Sequence, residues 1–175
     1  MRITCQGLTL RNAGPEDLIT LARWWNDGGV MAHAGFPNGL GISEAEVAAQ
    51  LSGQTDDTVR VLIIEVGGAP IGEMNYRNKG SRTAAIGIKV CETGMQGKGL
   101  GTLCLRMLIT KLFQLGYTEI ILDTNVKNLR AQHVYEKLGF EKLRVNHNHW
   151  QDQLGEWQSS VDYRLVASRF VPLSL

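Results

Sequence analysis

The chain has 175 residues, 43% of them hydrophobic, which is enough to bury the core of one domain without disulfides or bound metals. Its 18 basic residues nearly balance its 17 acidic ones, so the overall charge gives no reason to expect nucleic acid as a partner. Three cysteines without C-x-x-C spacing argue against a disulfide framework. We therefore expect one domain over residues 1–175 in the reducing cytoplasm, with neither an export signal nor a membrane-spanning segment.

The first part of the chain predicts one strand and two helices. Apolar and polar residues alternate over 7–13, as they do in a half-buried strand. A helix is predicted from Pro15, and the sequence NDGG at 26–29 ends it. The S-x-x-E pattern that begins at Ser43 is a capping box, and it predicts a second helix to about Leu51.

Three strands are predicted in the middle of the chain, over residues 59–66, 70–77 and 82–90. Short turns of Gly, Asn and Ser separate them, which favours antiparallel hairpins. The last of these strands leads into the sequence QGKGLGT at 96–102.

Two helices and a strand follow the glycine-rich sequence. A long helix is predicted from Leu100, and Gly116 is placed to end it. The apolar run at 119–124 is typical of a strand that is buried on both faces. The segment 128–139 predicts a second helix with Asn128 as its N-cap.

The last two segments, 140–150 and 155–166, predict a closing hairpin. The order strand, helix, strand, helix before it places a parallel strand pair in the middle of a mixed sheet. The sequence therefore predicts the α+β class.

The glycines at 97, 99 and 101 suggest that a ligand comes close to the backbone of this loop. Glycine lets a ligand come close to the backbone, and the first turn of a helix offers unpaired N–H groups at the positive end of its dipole. This combination predicts a phosphate site, while the alternative is a tight turn without a ligand. The spacing does not match a P-loop, because Lys98 stands between glycines, and G-x-G-x-G is not the dinucleotide fingerprint.

Two stretches resemble motifs of the GCN5-related N-acetyltransferase (GNAT) superfamily. QGKGLG at 96–101 resembles its acetyl-CoA motif, Q-x-x-G-x-G/A, and NLRAQHVYEKLGFEK at 128–142 resembles the motif that follows. The leading helices, WWND and GFPNGL resemble more loosely the branch that acetylates ribosomal-protein N-termini. The resemblance implies a single GNAT-like domain whose mixed central sheet, flanked by helices, has a splayed parallel strand pair, here 82–90 and 118–124. It also implies an acyltransferase with acetyl-CoA as co-substrate, whose pantetheine arm lies between those two strands.

The resemblance also implies roles for individual residues. Backbone amides from Gln96 to Thr102 would hold the pyrophosphate, Asn128 would contact the pantetheine arm, and Tyr135 would protonate the departing thiolate. The alternatives are an N-cap for Asn128 and a core aromatic for Tyr135. The implied cofactor-binding residues are Ile88, Val90, Gln96, Gly97, Lys98, Gly99, Leu100, Gly101, Thr102, Asn128, Arg130 and Lys137.

A base is needed because an ammonium group of pKa near 10 must lose a proton before its nitrogen can attack. Relatives of this branch carry a glutamate on the strand before the glycine loop, where this chain has Ala85. Glu73 on the preceding strand is the leading substitute, and Asp123 and His33 are weaker candidates. His147 and His149 lack a third ligand, so no metal site is predicted.

The acceptor is predicted to be a primary amine, on a peptide N-terminus or on a small molecule. It is expected between the region from Trp24 to Phe36 and the C-terminal hairpin. An aminoglycoside acceptor and a regulatory protein that binds CoA without turnover remain alternatives. The chain is expected to act as a monomer or a homodimer.

Overall fold

The computed structural model describes residues 1–174. Helices and strands account for most of this length, and four single 3₁₀ turns lie between them. The strands are β1 (Arg2–Cys5), β2 (Leu8–Asn12), β3 (Val59–Val66), β4 (Ala69–Asn78), β5 (Thr83–Val90), β6 (Glu119–Asn125), β7 (Glu141–Gln151) and β8 (Trp157–Val166). The helices are α1 (Leu18–Trp25), α2 (Gly28–Met31), α3 (Glu44–Leu51), α4 (Leu100–Gln114) and α5 (Leu129–Lys137).

The strands hydrogen-bond in the order β1-β2-β3-β4-β5-β6-β8-β7. Neighbours from β1 to β5 are antiparallel, and β5 and β6 form a parallel pair. The parallel pairing joins Thr83, Ala84 and Ala85 to Glu119, Ile120 and Ile121. The predicted α+β fold with a parallel pair in a mixed sheet is therefore confirmed.

The chain divides into two compact units. The first unit contains Met1–Ala13, Gln54–Leu122 and the residues from Arg164 onward. The second unit contains Gly14–Gly53 and Asp123–Tyr163, so β6 and β8 contribute residues to both units. A single domain over residues 1–175 stays a prediction.

Local signals explain where several helices begin. The Ser43 hydroxyl accepts the Glu46 N–H, and the Glu46 carboxylate accepts the Ser43 N–H, so α3 opens on the predicted capping box. Asn128 Oδ1 accepts the Ala131 N–H at 3.2 Å and caps α5. Within residues 1–174, none of the helices combines the length and hydropathy needed to span a bilayer.

Three features differ from the sequence-based predictions. Strand β1 and the one-turn helix α2 were not predicted, because each is too short to show a period. Strand β6 was predicted to be buried on both faces. In the structure, the buried residues Ile120 and Leu122 alternate with more exposed ones, and Asp123 is exposed. One face of its C-terminal half therefore carries polar side chains.

Gly72 lets β4 approach the end of β5 closely. It pairs with Val90, the last residue of β5, and the next amides of the chain, those of Cys91 and Glu92, donate to the Ile71 carbonyl at 2.9 and 3.0 Å. A Cβ at Gly72 would overlap the Lys89 carbonyl oxygen and stand 2.9 Å from Val90 Cα. Because both obstacles are backbone atoms, a side chain here would displace the strand that leads into the glycine loop.

Gly72→Ala is expected to lower the free energy of unfolding by about 1–3 kcal/mol, the usual cost of forcing an extra methyl group into a packed site. Urea unfolding of the two proteins measures this difference. Gly94→Ala is the matched control, since no atom lies within 4 Å of a Cβ at Gly94, and it should stay within about 0.5 kcal/mol of the wild type. Equal stability of the Gly72 and Gly94 variants would contradict the close approach.

Candidate active site

The glycine loop lies in the first unit, between a 3₁₀ turn at Thr93–Met95 and α4. Gly97 and Gly99 have φ values of 80° and 78°, in the left-handed region that side chains disfavour. The Gln96 amide group donates to the Val90 carbonyl at 2.9 Å, which ties the loop to the end of β5. The glycines therefore fix the path of the loop, and Gln96 holds it in position.

Helix α4 begins without a side-chain cap. Gly99 is its N-cap residue, and its carbonyl accepts the Thr102 and Leu103 N–H groups at 3.1 and 3.2 Å. The earlier amides of the first turn, which no side chain caps, are open to a ligand. The first turn also carries no acidic residue, so the positive end of the helix dipole is not neutralised.

The space beside the glycine loop is open at Gly99. No atom lies within 4 Å of the position that a Cβ at Gly99 would take. On the other side, a Cβ at Gly101 would lie 3.8 Å from Val90 Cγ2 and 3.9 Å from Ile88 Cδ1, which is ordinary van der Waals contact. The structure thus brings together the predicted loop residues with Ile88 and Val90, and it leaves Lys98 exposed beside them.

Glu73, the predicted base, occupies a different setting from the one expected. Its side chain is buried on β4, where its Oε1 lies 2.8 Å from the Lys89 Nζ on the adjacent strand. Burial, followed by the Glu73 charge, raises the pKa of the neighbouring Cys91 thiol to about 12. Glu73 is thus part of a buried ion pair on the sheet, and its catalytic role stays a prediction.

The remaining predicted residues lie in the second unit, on and before α5. Asn128 is half-buried, and its Oδ1 already accepts the Ala131 N–H as the N-cap of α5. Arg130 and Lys137 are exposed on α5. Both carry a cationic group that a nucleotide phosphate would attract.

Tyr135 has a buried ring and a hydroxyl without a partner. The ring packs against Tyr163 and Phe140, with centroid distances of 5.6 and 5.8 Å. Among the described residues nothing hydrogen-bonds to the Tyr135 hydroxyl, and the one enclosed side-chain polar atom without a partner is Asn12 Oδ1, so the hydroxyl borders open space. Burial, and secondarily the Asp123 charge, raise the pKa of Tyr135 to about 12, so it is protonated at neutral pH.

The region predicted to bind the acceptor is assembled within the second unit. The Gln153 N–H donates to the Gly35 carbonyl at 2.8 Å, and its side chain bonds the backbone of Asn38 and Gly39, at 2.9 Å each. The loop after α2 is therefore fastened to the turn between β7 and β8. Trp25 is buried as a core residue, whereas Trp157 is exposed.

His33 is exposed in the 3₁₀ turn that follows α2. Among residues 1–174 there is no group of three His, Cys, Asp or Glu side chains placed to hold a metal ion. Asp162, which lies beside Asp123, was not considered from the sequence, because the pairing of β6 with β8 leaves no signal in it.

Comparison with known proteins identifies the family. The model of the acetyltransferase (GNAT) domain matches residues 7–141. The chain belongs to this family. No curated protein sequence matches the GNAT chain described here.

Solved structures resemble this GNAT protein along nearly its whole length. Spermidine N-acetyltransferase from Vibrio cholerae, solved with CoA and spermine, has a TM-score of 0.84 and 23% identity, covering 94% of this chain and 98% of that one. RimL, a ribosomal L7/L12 alpha-N-protein acetyltransferase solved with coenzyme A, has a TM-score of 0.84 and 16% identity, covering 95% and 98%. Ribosomal-protein-alanine N-acetyltransferase from Brucella melitensis has a TM-score of 0.76 and 20% identity, covering 90% and 98%. These likenesses establish the GNAT fold.

As a member of the GNAT family, the protein is an acyltransferase with acetyl-CoA as its co-substrate. It is an acetyl-CoA-dependent N-acetyltransferase that transfers the acetyl group to an amine.

Gly99→Asp is expected to weaken acetyl-CoA binding at least about tenfold, which is about 1.4 kcal/mol, because it places a negative charge at the mouth of α4. Gly99→Asn is the matched control: its side chain has the same shape and tolerates the left-handed conformation, but it is neutral. Calorimetric titration of the folded variants with acetyl-CoA measures both effects. If the Asp and Asn variants weaken acetyl-CoA binding equally, charge at this position does not matter. If neither variant weakens binding, the loop is not the phosphate site.

Proposed function

We propose that the protein transfers the acetyl group in one direct step to a primary amine, on a peptide N-terminus or on a small molecule. The observation that carries this proposal is the open, uncapped start of α4 behind two left-handed glycines. The solved relatives support the acceptor class, since one is a spermidine acetyltransferase and another acetylates a ribosomal protein.

The proposed phosphate site is built on the amides of the glycine loop. Each charge-assisted hydrogen bond to a phosphate oxygen contributes on the order of 1.5–3 kcal/mol. Ile88 and Val90 offer apolar, half-buried side chains to the pantetheine arm, and Asn128 offers its amide group. Lys98, Arg130 and Lys137 are proposed phosphate contacts because all three are exposed cations.

Tyr135 is proposed to stabilise the departing sulfur. Full proton transfer from a phenol of pKa about 12 to a thiolate of pKa near 8.5 is uphill by about 5 kcal/mol. Hydrogen-bond donation has no such cost, and the Tyr135 hydroxyl has no competing partner among the described residues. The proposed role is therefore a hydrogen bond that strengthens as the sulfur gains charge.

We also propose the cytoplasm as the location. All three cysteines are free, and Cys91 and Cys104 are buried, as expected where thiols stay reduced. The proposed residues all belong to one chain, so the proposal holds for a monomer or a homodimer.

The proposed function is tested by measuring thiol release from acetyl-CoA with a panel of acceptors. The panel contains peptides with free N-termini, matched peptides with blocked N-termini, polyamines and aminoglycosides. Turnover with free but not blocked peptides, or with polyamines, supports the proposal and selects the acceptor class. Turnover confined to aminoglycosides favours the resistance-type alternative, and tight CoA binding without any turnover favours a regulatory protein.

Tyr135→Phe is expected to lower kcat roughly 10²-fold, at the lower end of the range for proton donors, because a thiolate leaves fairly well unaided. The KM for acetyl-CoA should change much less, since the hydrogen bond forms mainly in the transition state. Tyr163→Phe is the control, because it removes a hydroxyl that bonds the Glu136 carboxylate at 3.0 Å and keeps a ring of the same packing cluster.

Steady-state kinetics with an acceptor for which chemistry limits the rate decides between the two tyrosine variants. The Tyr163 variant should keep kcat within about threefold of the wild type. If Tyr135→Phe keeps the wild-type kcat, Tyr135 has no catalytic role and serves only as an aromatic residue of the core.

A further inference from the structure

Two carboxylates face each other across β6 and β8. The Val126 N–H donates to the Ser159 carbonyl at 3.0 Å just beyond one end of β6, and the Ala167 N–H donates to the Thr118 carbonyl at 3.1 Å just beyond the other end. The two bonds give one antiparallel register for β6 and β8. Three residues back from Val126 and three forward from Ser159, Asp123 stands directly opposite Asp162. This pair is a non-hydrogen-bonded one, in which Cβ atoms are about 4.5–5.5 Å apart, so both carboxylates lie side by side on one face.

The two carboxylates differ in what they bind. Asp162 Oδ2 lies 2.7 Å from Arg144 Nε, and its Oδ1 accepts a hydrogen bond from Asn146 Nδ2 at 3.0 Å. Both partners come from β7. Asp123 makes no hydrogen bond or ion pair with any side chain of the described residues, and it is exposed. Asp162 is thus held in a structural network, and Asp123 is free to exchange a proton with a substrate.

Asp123 also lies within electrostatic range of Tyr135, whose hydroxyl is likewise unpartnered. Tyr135 packs against Tyr163, which neighbours Asp162 on β8 and therefore points to the opposite face of that strand. An attacking amine and a departing sulfur occupy different positions around the carbonyl carbon. A proton acceptor on one face and a hydrogen-bond donor on the other match these two positions.

We propose that Asp123 is the general base that deprotonates the acceptor amine, with Asp162 as a positioning residue that keeps the Arg144 cation away from it. This inference rests on the proposed function.

Two of the three ammonium protons leave the nitrogen, and the third stays on it in the amide product. The Asp123 carboxylate takes one proton from R–NH₃⁺, and the freed lone pair forms the bond from nitrogen to the acetyl carbonyl carbon. The carbon–sulfur bond breaks, and its electron pair goes to the sulfur, which accepts a hydrogen bond from Tyr135. The nitrogen loses a second proton. One of the two protons ends on the CoA thiolate and the other in solvent, which restores Asp123.

The charges around Asp123 suit this role. Desolvation, followed by the Asp162 charge, raises the pKa of Asp123 above the usual carboxyl range, while His149 on β7 opposes the rise. Desolvation also acts on Asp162, but the bonds from Arg144 and Asn146 outweigh it and lower its pKa. A raised pKa makes Asp123 the better proton acceptor of the two.

Glu73 is less suited to the same task. It is 3% exposed, and its charge is already matched by Lys89 at 2.8 Å. Taking up a proton would break this ion pair and leave the Lys89 charge without its partner. Asp123 faces neither obstacle.

The test is the pH dependence of log kcat/KM with an amine for which chemistry limits the rate. With a working base, the wild type should show a plateau between the pKa of Asp123 and that of the amine, near 10. Asp123→Asn should lower kcat/KM about 10²-fold at pH 7.5. It should also replace the plateau with a rise of about tenfold per pH unit, because only the free amine then reacts. Asp123→Glu keeps a carboxylate and should keep the plateau.

Two further variants shift the acid limb in opposite directions. The base must be deprotonated, so activity appears as the pH rises through its pKa. Asp162→Asn removes a neighbouring negative charge and should move the limb to lower pH. His149→Gln removes the imidazole whose charge lowers the pKa of Asp123, and it should move the limb to higher pH. A purely structural role for Asp123 predicts neither shift.

The possible results are distinct. If Asp123→Asn keeps the wild-type kcat/KM and its plateau, or if its kcat/KM falls by the same factor at every pH, Asp123 is not the general base. The proposed transferase function would still stand. A wild-type protein that turns over no amine overturns both proposals. Calorimetry with acetyl-CoA and urea unfolding check that the Asn variant still binds and folds.

Discussion

The candidate site depends on one backbone constraint, the presence at the start of α4 of amide N–H groups that no described residue satisfies. A helix leaves its first amides without intrahelical partners, and most helices satisfy some of them with a Ser, Asp or Asn cap. Helix α4 has glycine in that place, in a left-handed conformation and without a side-chain bond. α3 and α5, by contrast, are capped by Ser43 and Asn128. Helix α1 also lacks a side-chain cap, but its N-cap residue Asp17 is right-handed and ends a 3₁₀ turn, so the left-handed glycine N-cap is what distinguishes α4.

The surrounding structure preserves this opening. Gly72 allows β4 to lie close to the end of β5, and Gln96 bonds the carbonyl at that end, so the loop has a fixed origin. Gly101 lies next to β5 on one side, while the space beyond Gly99 stays free. Lys98, within the loop, is exposed. The backbone amides at the start of α4 are therefore left accessible.

Much of the fold follows from sequence pattern, and the reasons are local. The capping box at Ser43, the helical period after Leu100 and the strands at 59–66 and 82–90 are set by neighbouring residues, and each lies within one residue of its predicted place. The glycine loop could also be predicted, since its spacing and its place before a helix are properties of the sequence. Strand β1 was missed because four residues are too few to show a period.

The proton-transfer groups were harder to predict, because their setting depends on pairing between distant segments. Glu73 looks like a free acid in the sequence, and only its register with Lys89 gives it a partner. Asp123 appeared to lie on a strand buried on both faces, whereas β6 alternates and exposes it. The contribution of Asp162 depends on the β6–β8 register, which no single segment encodes.

The most direct test of the central claim is an amide NMR titration with two ligands, CoA and pantetheine, which lacks the pyrophosphate and the nucleotide. If the loop amides hold the pyrophosphate, CoA should shift the N–H resonances from Gln96 to Thr102, and pantetheine should leave them nearly unchanged. Equal shifts with both ligands, or shifts with CoA that spare these residues, would contradict the account.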